Sequence, residues 1–224
     1  MKVVAISCIH NDLESLVNFS DRLERLKFDL IVCHGDFLDS PIKKFTELEL
    51  GRLIVAGLKT FGKPLLVIPG AWDKELIGYF EREKISIHGK GVVIDNVGFY
   101  GFGGAKTPFN LPYEPSEKEI EAGLEKGYNE IKDAEVKIQV THSPPANTKL
   151  DIIPSGAHVG SEAVRKFIES KQPDAAVCSH IHESRGIDFI GKTKVINTGR
   201  FPEGYCGLIT ISDKKVDVEL INLT

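Results

Sequence analysis

The chain is 224 residues long with 42% hydrophobic residues, enough to bury one sizeable core. Lys and Arg total 28 against 32 Asp and Glu, and a formal charge of −4 with both signs interspersed speaks against a dedicated nucleic-acid or anionic-membrane binder. The apolar run Val3 to Ile9 is too short for a signal-peptide core, and no segment approaches the roughly 18 apolar residues of a membrane span, so one soluble, cytoplasmic α/β domain over residues 1–224 is expected. The 4 cysteines, at positions 8, 33, 178 and 206, form no CxxC pair and fit a reducing compartment.

Lys2 to Ile9 is β-branched and apolar, and reads as a buried strand that stops at His10. Asn11 or Asp12 can cap a helix in which Leu16, Phe19, Leu23 and Leu26 share one face. Leu30 to His34 is a second strand ending in Gly35-Asp36, and a second helix is expected from about Pro41 to Leu58. Pro64 to Ile68 is a third strand, broken at Pro69-Gly70-Ala71-Trp72-Asp73. This strand-helix rhythm implies right-handed crossovers and a parallel sheet whose carboxyl ends present His10, Asp36 and the Gly70 loop on one edge.

Farther on, Gly91 to Ile94 and Gly98 to Phe102 flank Asp95-Asn96 as an antiparallel hairpin. Lys106 to Pro115 is a Pro-containing loop long enough to cover a site. Ser116-x-x-Glu119 is a capping box that opens a helix to about Lys132. Lys137 to Thr141 is a strand ending at His142; a helix capped by Ser161 follows, then the strand Asp174 to Cys178, which ends at His180 and His182. Residues 194–196, 205–211 and 216–221 complete the strands.

Four strand ends thus carry His10, Asp36, His142 and the pair His180/His182. Two residues apart in extended chain, the last two project to the same side. Imidazole with carboxylate suits Zn, Mn or Fe, and a shared carboxylate such as Asp36 suits two ions about 3.5–4 Å apart that clamp a phosphoryl group.

In order and spacing, Ile6-Ser-Cys-Ile-His10, Gly35-Asp36, Gly70-Ala-Trp-Asp73, Thr141-His142 and Ser179-His-Ile-His182 resemble the five motifs of the calcineurin-like metallophosphoesterase superfamily. Those motifs are usually Asp-x-His, Gly-Asp, Gly-Asn-His-Asp, His and Gly-His-x-His. Asn197-Thr-Gly199 resembles the family's closing Asn-Pro-Gly turn, and the length is similar to that of its small prokaryotic members. The resemblance implies a four-layer α/β/β/α sandwich of two mixed sheets flanked by helices. It also implies one or two divalent ions, Zn, Fe or Mn, and hydrolysis of a phosphomonoester or phosphodiester, with a small phosphate ester or nucleotide as substrate. A homo-oligomer is compatible with the sequence.

Carried over by position, residue 8, His10, Asp36 and His182 would hold a first ion, and Asp36, residue 71, His142 and His180 a second. Three positions depart from the family. Cys8 replaces Asp: it is either a thiolate ligand that turns the site towards Zn or Fe, or a buried thiol that binds nothing. Ala71 offers no donor. Trp72 occupies the place of a histidine beside the leaving group, and losing a general acid lowers rates by a factor of about 10² to 10⁴; its ring either closes the mouth, stacks on an aryl group or base, or packs over the loop. Asp73 is a partner to a ligating histidine or a helix cap, and Asn11 a phosphate contact or a cap. His34 reads as structural, while His158 and Arg200 are candidates for reaching substrate. The alternative function is a non-catalytic protein of this fold that serves as a binding or scaffold module, as one family member does in the retromer complex.

Overall fold

The structure is a computed structural model that describes residues 1–224. In chain order the strands are β1 (Lys2–Ile6), β2 (Leu30–His34), β3 (Leu65–Ile68), β4 (Lys90–Ile94), β5 (Val97–Phe102), β6 (Val136–Thr141), β7 (Ala175–Cys178), β8 (Gly186–Ile190), β9 (Thr193–Asn197), β10 (Tyr205–Ser212) and β11 (Lys215–Asn222). The α-helices are α1 (Leu13–Asn18), α2 (Ser20–Arg25), α3 (Glu47–Lys59), α4 (Ile77–Arg82), α5 (Glu117–Glu130) and α6 (Glu162–Lys171). They build two mixed sheets, one of 5 strands in the order β11-β10-β1-β2-β3 and one of 6 in the order β4-β5-β6-β7-β9-β8.

The layers follow from the two-residue period of the strands. In β1, Val3 and Ala5 face the second sheet while Val4 and Ile6 face the helices; β2 repeats this with Leu30 and Val32 against Ile31 and Cys33. Val136, Ile138 and Val140 of β6 and Ala175 and Val177 of β7 complete the middle layer, and Ala176 and Cys178 turn outwards to Phe167 and Ile168 of α6. Strands covered on both faces need apolar residues at every position, which is why they read as unbroken apolar runs. The α/β/β/α sandwich of two mixed sheets flanked by helices is therefore observed.

Within the sheets β1, β2 and β3 run parallel, as do β5, β6, β7 and β9, so several carboxyl ends lie on one rim. The differences from the sequence-based expectations are local. The first strand ends at Ile6 rather than Ile9, because Cys8, His10 and Asn11 take positive φ and leave the extended conformation. The first helix is divided at Phe19, whose ring stacks edge-on against Phe201, and its cap is Asp12, which accepts the Ser15 N–H at 3.0 Å. The second helix begins at Glu47, not near Pro41, because Thr46 and Glu49 form a capping box. Strand β8 lies outside the expected set: it is an edge strand with an acidic residue at its centre, Gly-Ile-Asp-Phe-Ile.

Candidate functional site

Six side chains meet where the two sheets' carboxyl ends face each other. Cys8 and His10 follow β1, and Asp36 follows β2; His142 follows β6, and His180 and His182 follow β7. Four of these six residues sit in the left-handed region, with φ of 54° at Cys8, 52° at His10, 51° at Asp36 and 70° at His180. Each such non-glycine residue stores on the order of 1–3 kcal/mol, which the surroundings must hold. The bracing is visible: Cys8, His10 and Asn11 donate their backbone N–H groups to the carbonyls of Gly35, Asp36 and Phe37 at 2.9, 3.1 and 2.9 Å. Gly70 is required for the same packing, since a Cβ there would lie 2.0 Å from the Asp36 nitrogen.

Asp36 is buried and central. Its Oδ2 lies 3.1 Å from His142 Nε2 and 3.9 Å from His10 Nε2, while Oδ1 accepts the Trp72 N–H at 3.1 Å. Burial raises its pKa, but the neighbouring His142, His10 and His180 outweigh that and hold it well below the usual carboxylate range. His142 donates from Nδ1 to the His34 carbonyl at 2.9 Å, which turns Nε2 towards Asp36. Burial lowers His142, yet the Asp36 charge and hydrogen bond leave its pKa raised.

On the other side of Asp36, His10 Nε2 and His182 Nε2 face each other at 3.4 Å. Both rings are depressed, first by burial; His182 falls to about 4, and the Arg200 charge adds to the lowering in each. Two neutral imidazoles protonated at Nδ1 would turn both Nε2 lone pairs towards one point, the arrangement that holds a cation. Cys8 Sγ lies 3.1 Å from Ser179 Oγ and 3.4 Å from Ser7 Oγ. Both hydroxyls donate elsewhere, Ser179 to Gly199 O at 2.9 Å and Ser7 to the carbonyls of His34 and Gly35 at 3.2 and 3.1 Å. Burial, and then the Asp36 charge, push the thiol up to about 12.

Two sets of donor atoms converge within 4.8 Å of one another: Cys8 with His10 and His182, and Cys8 with Asp36 and His142. The donor chemistry, a thiol, neutral imidazoles and a carboxylate, fits a divalent ion of the Zn or Fe type. The geometry differs from the carried-over ligand sets in three ways. Asp36, expected to be shared by both, belongs to one set alone. Cys8 belongs to both clusters, and His180 belongs to neither, its ring standing 5.1 Å from that of His142 and pushed down to about 3 by burial and then by His142.

The remaining expected residues fall at different distances from this centre. Asp73 is fully buried and accepts the N–H groups of Gly70, Leu38 and Phe37 at 2.7, 3.0 and 3.2 Å, so it ties two loops together and neither bonds a histidine nor caps the following turn. Asn11 is not the cap, and its Oδ1 is buried without a partner. His34 is buried against Thr198. His158 bonds Asp151 at 2.7 Å and takes no part in the cluster. Arg200 is half-buried, with Nε lacking a partner. Its flanking residues are pinned beside Cys8: Gly199 O accepts from Ser179, and Phe201 N–H donates to Ser7 O at 3.1 Å.

Over the histidines opens a cavity of about 800 Å³, lined by His10, Asp36, His180 and His182 and walled by Trp72, by Lys106, Pro108, Phe109 and Leu111 of the expected covering loop, and by Ile153, Pro154 and Val159 of a second loop. The sequence marks this segment only as a flexible stretch through Gly156 to Gly160; its role as a wall has no signal there, because the lining residues are scattered apolar positions in irregular chain.

Residues 1–184 match the family model described as calcineurin-like phosphoesterase. The chain belongs to the calcineurin-like phosphoesterase family. An uncharacterized protein of Methanocaldococcus jannaschii is 36% identical over 214 residues, covering 92% of this chain and 90% of its own. Among solved structures, a Thermus thermophilus protein superposes with a TM-score of 0.70 at 20% identity, covering 100% of this chain and 99% of that one. A 5'-nucleotidase from Candida albicans gives 0.55 at 12% identity, covering 100% of this chain and 51% of that one, and these two likenesses concern the fold alone. As a calcineurin-like phosphoesterase the chain falls among proteins with a general phosphoesterase role that generally use divalent metals and small phosphate-ester substrates. No helix is long and apolar enough to cross a membrane.

Proposed function

We propose that this protein is a metal-dependent phosphoesterase whose ion site is built from Cys8, His10, Asp36, His142 and His182, with His180 at the cavity floor. The observation that carries the proposal is the position of Asp36 Oδ2, 3.1 Å from His142 Nε2 of its own donor set and 3.9 Å from His10 Nε2 of the other. A divalent ion held there supplies Lewis acidity towards a phosphoryl oxygen and a nucleophile from water. Everything else is the work of the chain. His34 O fixes the His142 tautomer, the Trp72 N–H fixes Asp36 Oδ1, and Asp73 braces the Gly70 and Phe37 loops that carry both. Lys106 places a positive charge at the cavity wall, where a phosphate enters. Cys8 selects Zn or Fe over Mn, because the thiol is the soft member of the set.

Trp72 stands where proton donation to the leaving group is expected, and an indole N–H does not transfer. Substrates whose leaving group needs little protonation, such as aryl esters, are therefore turned over best, and nucleotide diesters that release a sugar hydroxyl more slowly. The same substitutions at Cys8, Ala71 and Trp72 favour a second reading, a binding module without turnover, because they cluster at the reaction centre.

Metal content of the purified protein, measured beside turnover of aryl monoesters and diesters with Mn, Zn and Fe, separates the two. Bound Zn or Fe and activity that disappears in Asp36→Asn support the esterase. No metal and no turnover, with activity appearing only in Cys8→Asp/Ala71→Asn/Trp72→His, establishes the binding module instead.

A further inference from the structure

The wall of the cavity carries a second layer of information, about what is attached to the phosphate. Trp72 is half-buried, its backbone N–H is tied to Asp36, and its ring packs against the hydrophobic cluster between the first sheet and its helices. The indole is thus a fixed face directly beside the candidate ion site. Phe109 is the most exposed large hydrophobic residue of the chain at 76%, yet it is not on a loose loop. Thr107 Oγ1 accepts the Phe109 N–H at 3.1 Å, Glu114 accepts the Leu111 N–H at 2.7 Å, and the Tyr113 N–H donates to Ala71 O at 2.8 Å. Tyr113 OH also bonds His88 Nε2 at 3.0 Å, so the base of this loop is anchored to the loop of Trp72 and to the second sheet. A pinned loop presenting a bare phenyl ring beside a cavity is a contact surface waiting for an apolar partner.

The polar inventory of the wall points the same way. Thr107 spends its hydroxyl on Phe109 N–H and on Glu114. Ile153, Pro154 and Val159 have apolar side chains, and their loop is held by Asp151, which accepts the N–H groups of Asn147, Thr148 and Gly160. Lys106 and Glu183 are the charged residues of the wall, so there is no array of free donors and acceptors to recognise a sugar or other polyol.

Resting on the phosphoesterase reading for the phosphate end, we infer that the cavity receives a flat aromatic ring, either an aryl group bonded to the phosphate or the base of a nucleoside phosphate, with the phosphate over His10, Asp36 and His182. The absence of a proton donor at Trp72 agrees independently, since a phenolic or phosphate leaving oxygen departs without one. Trp72 and Phe109 supply the ring contacts, and Ile153 and Val159 fill in around them.

Trp72 is the 1 tryptophan of the chain, so its fluorescence reports directly on this wall. The probes are phenylphosphonate, hexylphosphonate and methylphosphonate, none of which is hydrolysed, titrated into the Zn-supplemented protein. Phenylphosphonate is expected to perturb Trp72 and to bind about tenfold more tightly than methylphosphonate, the gain of one buried, stacked ring. In Phe109→Ala, an exposed position whose truncation leaves the core untouched, that ratio falls to about twofold, as loss of an aromatic contact requires. Equal affinities for phenyl and methyl, tighter binding of hexyl than of phenyl, or an unchanged ratio in Phe109→Ala each overturn the inference. Adenosine 5'-phosphate as a further probe tells a base from a simple aryl group: the tighter of the two ring ligands names the source. Ring-selective binding without turnover of phenyl phosphate leaves this assignment standing and removes the phosphoesterase reading. Equal turnover of phenyl and glycerol phosphates without ring selectivity does the reverse.

Discussion

Asn197 holds together three pieces of chain that the site depends on. Fully buried, it donates from Nδ2 to Leu150 O at 3.1 Å and to Ile181 O at 2.9 Å, while its Oδ1 accepts the Gly199 N–H at 2.9 Å. Ile181 lies between His180 and His182, so this amide sets the carbonyl on which the histidine turn hangs. Asn197→Ala leaves buried polar groups without partners, each worth about 1–3 kcal/mol, and a loss of roughly 2–4 kcal/mol is expected. Urea unfolding measures it, and a variant within about 0.5 kcal/mol of the parent, the spread of an ordinary surface change, would remove Asn197 from this role. From the sequence Asn197 is visible as a turn residue, but its partners are not: they lie 47 and 16 positions away, and nothing local encodes them. The same limit applies to Cys8. Its position is plain from motif spacing, whereas the Ser179 hydroxyl beside it, 171 residues distant, comes only from the meeting of two sheets.

At the scale of elements, strand ends and capping residues were the most legible features. Thr46 and Ser116 both make complete capping boxes, and only the second was assigned its helix start from sequence, since Pro41 offered a competing first turn. Irregular loops carry weaker signals because their order comes from buried polar groups rather than periodicity, and residues 147–160 are the clearest case. Asp151 is fully buried there and bonds His158 at 2.7 Å besides three backbone N–H groups. Burial raises its pKa, but the His158 bond and those N–H donors outweigh it, so the folded value is depressed. A depressed carboxyl contributes stability in full above its unfolded value of about 3.9, and that contribution is lost as pH falls through the lower folded value. The parent protein is therefore expected to lose stability below about pH 4, while Asp151→Asn is less stable at neutral pH and shows a flatter acid limb. Urea unfolding from neutral to acid pH checks this; parallel limbs in the two proteins would show that Asp151 does not carry the effect. The loop also walls the cavity through Ile153, Pro154 and Val159, so the variant should bind phenylphosphonate more weakly at neutral pH as well.

Across the whole molecule, the site is a joint between the two sheets. Cys8, His10 and Asp36 come from loops of the 5-stranded sheet, and His142, His180 and His182 from the 6-stranded one. The middle layer of Val3, Ala5, Leu30 and Val32 against Val136, Ile138 and Val140 already glues the sheets, but apolar packing does not fix the rim to sub-ångström precision. The polar contacts there do: His142 to His34 O at 2.9 Å, and Cys8 to Ser179 at 3.1 Å, each spanning the two sheets. A divalent ion in the proposed site adds a bond of the same kind, and its binding free energy becomes folding free energy because the unfolded chain does not assemble the donors. At a free Zn concentration 100 times its dissociation constant the stabilisation is about 2.7 kcal/mol, a rise of about 5 °C or more in the unfolding temperature for a chain of this size. Calorimetry with and without chelator should show that rise in the parent and its loss in Asp36→Asn. Cys8→Asp should instead transfer the rise from Zn towards Mn, which the thiol disfavours. Hydrogen exchange adds the test of location. Loops after β1, β2, β6 and β7 should gain protection together on adding Zn, and protection confined to one sheet would place the ion elsewhere.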